Sequence, residues 1–185
     1  MKVKSSIIRW AGSKKKLLPE LQKEYKRSRC NNYAEPFCGS ACLFFNISTN
    51  KSILSDFNEE LIEMYDVVCK FPYKLHSLLS GYPRSPEFYY KTRALNPKSL
   101  KKIERAARFM YLNRFCFNGL FRTNLKGNFN VPRGSHTGDI PSLDELLVAR
   151  EKLVNTLLLS CDFHDAIANV DSSYFVYLDP PYVYK

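Results

Sequence analysis

The tetrad Asp179-Pro180-Pro181-Tyr182 follows the apolar run Tyr174-Phe175-Val176-Tyr177-Leu178, which reads as a buried strand. An acid at a strand's carboxyl end, followed by two prolines and an aromatic, builds a rigid slot with a polar edge. The prolines fix φ, and the first restricts the residue before it, so the Asp179 carboxylate and the Pro180 carbonyl keep fixed directions. Tyr182 adds a flat face. Such a slot suits a planar ring bearing an exocyclic amine: the ring stacks, while Asp179 and the carbonyl accept its two N–H hydrogens. A proline-rich turn after a buried strand would read the same way.

Three other segments carry residue types that could line a pocket. In Arg9-Trp10-Ala11-Gly12-Ser13-Lys14 the chain's only tryptophan stands beside a glycine and a helix start bearing Lys14. It is either a pocket wall or a core tryptophan of an N-terminal strand. In Glu35-Pro36-Phe37-Cys38-Gly39-Ser40 a glycine turn follows a strand, but there is no GxGxxG, and Ala41 stands where a second glycine would be expected. Asp56 ends the next strand about 20 residues further on, where an acid can accept hydrogen bonds from ribose hydroxyls. Cys161-Asp162-Phe163 is, by periodicity alone, another strand end.

These residues need a scaffold. The pattern predicts a basic amphipathic helix over 13–29 with Ser13 as N-cap, a strand at Asn32 to Glu35, and an apolar helix from Ala41 to Ile47. A strand over 52–55 and a helix over 58–69 follow. This strand, turn, helix, strand, acid order is that of a nucleotide-type βαβ unit. The rhythm breaks between residues 71 and 140. That stretch has helical material from Lys98 to Asn113, then two short strands flanking Lys126-Gly127-Asn128, a hairpin with Gly127 supplying positive φ. It resumes with a helix over 142–154, a strand over 156–160 and the strand entering Asp179. The expected fold is α/β: a doubly wound, Rossmann-like sheet with a helical and hairpin insertion. Its parts are 1–70, an insertion 71–140 with the hairpin at 117–133, and a continuation over 141–185.

Composition narrows the partners. A formal charge of +10, from 28 Lys and Arg against 18 Asp and Glu, points to a polyanion. No apolar run is long enough to span a bilayer, and the polar N-terminus lacks a signal peptide's apolar core. The cysteines (Cys30, Cys38, Cys42, Cys69, Cys116, Cys161) form no CxxC pair. The expectation is reduced, mostly buried thiols in a cytoplasmic protein, with neither metal site nor disulfide framework.

In this order, WAGSK (residues 10–14), EPFCGS (35–40), SDFNEELI (55–62), NRFCFNGLFRTNLKGNFNVPRG (113–134) and DPPY (179–182) resemble the Dam-type, D12 class of DNA N6-adenine methyltransferases. The resemblance runs from about Ile7 to Tyr182. It implies a methyltransferase sheet, S-adenosylmethionine as cofactor and double-stranded DNA as partner, in a bacterial or phage-encoded protein. By the resemblance Trp10 and Lys14 contact the cofactor or support its pocket, and Phe37 and Gly39 border its methionine end. Asp56 holds the ribose, Asp162 and Phe163 contact its adenine, and Asp179 sits by both cofactor and target base. Asp179, Pro180 and Tyr182 form the catalytic slot. Phe117, Asn118, Leu120, Arg122, Asn124, Lys126 and Arg133 fall in the segment the family places on DNA. Arg122 is the candidate reader of guanine, and GATC is the site suggested. A cognate restriction endonuclease would act on the same site without being bound. Family members continue beyond this point with further strands, so the sheet is expected to be incomplete and the sequence to be a truncated form. The alternatives are cytosine-N4 methylation in the same slot and a catalytically incompetent DNA-binding remnant.

Overall fold

The computed structural model describes residues 6–135 and 137–180, so Pro181 and Tyr182 lie outside the described residues. Among the described residues four strands form one all-parallel sheet: β1 (Asn32–Glu35), β2 (Lys51–Ser55), β3 (Thr156–Leu159) and β4 (Tyr174–Val176), in the order β3-β2-β1-β4. The chain winds outward from β1 through β2 to β3 and then returns to β1's other side. The reversal lies between β1 and β4, and in open α/β sheets ligands bind outside the carboxyl ends of strands at such a point. Glu35, Ser55 and Leu159 end their strands there, and Tyr177 prolongs β4 by donating its N–H to the Ala34 carbonyl at 2.8 Å.

The helices are α1 (Leu18–Ser28), α2 (Glu59–Lys70), α3 (Pro72–Ser80), α4 (Pro86–Ala94), α5 (Lys102–Phe115), α6 (Leu143–Leu153) and α7 (Phe163–Ile167). In α2, Leu61, Met64, Tyr65, Val67 and Val68 are all inaccessible to solvent, at the 3.6-residue spacing of one helix face. That face packs on α5 and α6, and each fully buried aliphatic side chain contributes about 1.5–3 kcal/mol. Polar contacts fix the register. Glu63 receives two hydrogen bonds from Arg105 at 2.7 and 2.6 Å. Buried Arg108 donates to the Thr92 and Arg93 carbonyls at 3.1 Å, tying down the end of α4. No helix of the described residues is long and apolar enough to cross a membrane. Cys38, Cys42 and Cys116 are buried, while Cys30, Cys69 and Cys161 are only partly so.

Several expectations need correction. The first helix begins with a 3-10 turn at Lys15–Leu17 and becomes α-helical at Leu18, and no side chain caps it, so Ser13 is not an N-cap. Over 41–47 only the 3-10 turn Phe44–Asn46 forms. Ala41 stands at φ +48°, in the left-handed region, and a helix cannot run through such a residue. The Lys98–Asn113 helix starts only at Lys102, because Leu100 is extended (ψ 152°), and it runs on to Phe115. The hairpin turns at Gly127 (φ +77°), as expected, but its two strands reduce to one antiparallel pair, Thr123 with Phe129.

Candidate active site

The N-terminal segment reaches the sheet because the insertion holds it there. Asn113 of α5 acts like a piece of backbone: its Oδ1 accepts the Arg9 N–H at 2.9 Å, and its Nδ2 donates to the Arg9 carbonyl at 2.6 Å. The Trp10 ring stacks on Phe121 at 6.2 Å, and Phe121 packs on Phe109 and Phe129 at 5.5 and 5.6 Å. Trp10 is thereby fixed over Gly39, so close that a Cβ built there would lie 2.5 Å from its Nε1. Gly39 stands at φ +45°, and its carbonyl accepts the Tyr65 hydroxyl at 2.8 Å.

Around this turn lies a cleft of about 470 Å³ at the carboxyl ends of the strands. It brings together Trp10, Lys14, Phe37, Gly39, Asp56, Asp162, Phe163, Asp179 and Pro180, residues up to 170 positions apart in sequence. Lys14 and Asp179 form its cationic and anionic centre: the Lys14 Nζ lies 2.7 and 2.6 Å from the two Asp179 carboxylate oxygens, and both side chains are about one-fifth exposed. Asp56 accepts the Gly39 N–H and the Asn58 N–H, each at 3.0 Å. A carboxylate offers about four lone-pair sites, so two remain for a ligand. Burial raises the Asp56 pKa, and the two backbone donors oppose the shift. Asn58 rather than Asp56 caps α2, accepting the Leu61 N–H at 3.2 Å. Asp162 caps α7 and holds His164 through its backbone N–H at 3.0 Å and its ring Nδ1 at 2.8 Å. Phe163 packs against Phe37 at 5.4 Å.

Phe57 and Glu35 also line the cleft, although the sequence assigned neither a role of its own. Phe57 is 86% exposed at the cleft, and its one legible signal was its place directly after the strand-ending Asp56. Glu35 is only 4% exposed and accepts the Tyr33 hydroxyl at 2.8 Å. Burial pushes its pKa from 4.5 up to about 8, partly opposed by that hydrogen bond and reinforced by the Asp179 charge. The folded pKa lies above the unfolded one, so Glu35 contributes a stability that is complete below about pH 4.5 and lost as the pH rises through about 8. The Glu35→Gln variant should lose this slope, which is at most about 1.4 kcal/mol per pH unit for one proton. Urea unfolding of both proteins across this range reads the difference, and parallel stability curves would exclude the buried proton.

The residues expected on DNA sit apart, along the hairpin. Phe117 is about half exposed and Asn118 is exposed at φ +52°, whereas Leu120 is partly buried against the core. Arg122 is exposed and donates its Nε–H to Asn130 Oδ1 at 2.9 Å. The Asn124 Oδ1 is occupied within the turn, accepting the Lys126 and Asn128 N–H groups at 3.0 Å. Arg133 donates to the Arg84 carbonyl at 3.1 Å, and its buried Nε has no hydrogen-bond partner among the described residues. A second cleft, of about 660 Å³, lies between the hairpin and the end of α4, with Tyr90, Arg93, Lys98 and Lys126 among its walls.

A family model, D12 class N6 adenine-specific DNA methyltransferase, matches residues 10–185. The Type II methyltransferase M1.LlaDCHI of Lactococcus lactis subsp. cremoris is 36% identical over 186 residues, covering 96% of this chain and 65% of the relative. The DNA adenine methylase of Escherichia coli (strain K12) is 34% identical over 186 residues, covering 98% and 66%. The Type II methyltransferase M.MjaIII of Methanocaldococcus jannaschii is 34% identical over 197 residues, covering 95% and 68%. The chain thus spans just under two thirds of the length of the first two relatives.

Proposed function

The chain belongs to the D12 class of N6 adenine-specific DNA methyltransferases, and from that premise we propose that it transfers a methyl group from S-adenosylmethionine to the N6 of an adenine in duplex DNA. The observation that carries this reading is the cleft at the switch point, where an ion-paired Asp179 stands beside aromatic walls and an acid at the end of β2. These residues fit the cofactor. Its volume is in the range of small-molecule sites. The two open lone-pair sites of Asp56 suit ribose hydroxyls, and Phe57 and Phe163 suit an adenine ring, while Lys14, bonded to Asp179 and to the Gly12 carbonyl, holds the Asp179 carboxylate in place. Bound there, S-adenosylmethionine supplies a methyl group made electrophilic by its sulfonium.

The protein's own task is to make a poor nucleophile adequate. The adenine amine is weak because its lone pair is conjugated with the ring. Accepting its N–H hydrogens at Asp179 and the Pro180 carbonyl favours a pyramidal nitrogen and stabilises the positive charge that grows on it, the electrostatic logic of an oxyanion hole with the sign reversed. No covalent intermediate is required, so the cysteines have no catalytic part. The target base must leave the stack at a cost of a few kcal/mol, and stacking on Tyr182 would offset part of it. Arg122 would read guanine O6 and N7, while Lys126 and the basic cleft would hold phosphates. The Type II names of two relatives support a place in restriction–modification.

The test is a tritiated-methyl transfer assay on unmethylated duplex DNA, with GATC as the first site tried, followed by nucleoside chromatography. N6-methyladenine is expected. Label in N4-methylcytosine would overturn the adenine assignment, and binding without transfer would leave a DNA-binding protein.

A further inference from the structure

Among the described residues the Asp162 carboxylate takes its hydrogen bonds from one residue, and that residue lies outside the cleft. Cys161, Asp162 and Phe163 line the cavity, whereas His164 does not. Both bonds from His164 reach the same oxygen: Oδ1 accepts the backbone N–H at 3.0 Å and lies 2.8 Å from the ring Nδ1. These bonds hold the Asp162 pKa below the ordinary carboxylate value, so the group is ionised. An ionised carboxylate can only accept, and Nδ1 therefore carries the proton. The second oxygen, Oδ2, has no hydrogen-bond partner among the described residues.

The Asp162 side chain is 57% exposed, so packing does little to fix its rotamer, and the His164 ring is what ties it. That ring also stands 3.8 Å from the Phe163 ring, which packs in turn on Phe37 at 5.4 Å. One exposed side chain therefore braces both of its neighbours in the cleft wall, an anionic acceptor and a flat face. Such a pair suits a purine bearing an amine at C6: the ring stacks while the amine donates to Oδ2. A 6-oxo purine would set its carbonyl against the carboxylate, and a site built for an N–H rejects a ring that lacks one.

We propose that His164 is a positioning residue: by donating to Oδ1 of Asp162 it aims Oδ2 at the 6-amino group of the cofactor's adenine and makes the cleft selective for 6-aminopurines. This inference rests on the S-adenosylmethionine reading above. The probes are S-adenosylhomocysteine and S-inosylhomocysteine, which differ at C6, titrated calorimetrically into the full chain. The parent protein should prefer the adenosyl compound by roughly tenfold, the lower end for a hydrogen bond to a charged group. His164→Ala keeps the backbone bond but loses the ring donor, and it should bind the adenosyl compound roughly 3–10-fold more weakly, the cost of ordering one side chain. Its affinity for the inosyl compound should stay within about twofold of the parent's, because that compound gains nothing from Oδ2. His164→Phe keeps a ring beside Phe163 without the donor and should behave like the alanine variant. His164→Asn sets its Nδ2 where the imidazole Nδ1 stands and should restore the preference. His164 is 78% exposed, so all three variants should melt like the parent. A preference that survives in His164→Ala or His164→Phe overturns the assignment. So does an equal loss for both compounds, an asparagine variant that binds like the alanine one, or a parent that does not distinguish the two. A parent that binds neither compound removes the cofactor reading itself, and the inference with it.

Discussion

Replacing Asp179 with asparagine is expected to lower the single-turnover rate of methyl transfer by roughly 10²–10³-fold, the loss typical of removing one group that stabilises developing charge. The geometry explains why an isosteric change should be so costly. Both carboxylate oxygens lie within 2.7 Å of the Lys14 Nζ, so the negative charge is held in one place and aimed by a cation that itself is only one-fifth exposed. An amide keeps the shape and one acceptor but places N–H hydrogens where either Lys14 or the target amine needs a lone pair. It also leaves the ammonium without its counter-charge in a partly dehydrated cleft, and under the proposed function the chemical step should suffer more than cofactor binding. Rapid-quench transfer of tritiated methyl at saturating cofactor isolates that step, and circular-dichroism melting confirms that the variant is folded. A rate within about tenfold of the parent's would remove Asp179 from the reacting centre and leave it as the partner of Lys14 alone.

How much of this was legible in the sequence depends on the range of the interaction concerned. β1 and β2 were readable because each carries a buried apolar pair, Tyr33-Ala34 and Ile53-Leu54, bounded by polar residues and closed by an acid or a turn. The strand-end acids Asp56 and Asp179 followed from the same punctuation. The helix over 41–47 was misread because its apolar content is real (Leu43, Phe44 and Phe45 are all buried), while the left-handed Ala41 that breaks it leaves no mark in periodicity. Hairpin strands were overcalled for a related reason: the alternation is present, but Asn124 satisfies the tip by itself and leaves little ladder to form. The Lys14–Asp179 pair, 165 residues apart in sequence, could not be read at all from local pattern. The burial of Glu35 was equally hidden, since a glutamate at a strand end is ordinarily solvated.

The Gly39→Ala variant is expected to be destabilised by about 2–5 kcal/mol, from a left-handed backbone penalty near 1–2 kcal/mol and an overpacking cost of about 1–3 kcal/mol. The backbone term alone would be tolerable, because Ala41 already sits at φ +48° two residues later with its methyl fully buried. What differs at Gly39 is the space. An added Cβ would lie 2.5 Å from the Trp10 Nε1 and 2.7 Å from its Cδ1, closer than real contacts allow. Movement of the ring is opposed by Phe121, which stacks on it and packs in turn on Phe109 and Phe129. Nor can the turn easily move the other way: the Gly39 N–H is held by Asp56 at 3.0 Å and its carbonyl by Tyr65 at 2.8 Å. The strain should therefore reach both the cleft and the base of the hairpin at 117–133. For a chain of this size the melting temperature should fall by roughly 4–20 °C. Trp10 is the only tryptophan, so its emission reports the displacement without a label. Adding Trp10→Phe, which removes the clashing indole nitrogen, should recover part of the loss, a coupling that a purely backbone effect would not produce. A Gly39→Ala protein with the parent's melting temperature and tryptophan spectrum would show that the turn yields where the geometry says it is locked.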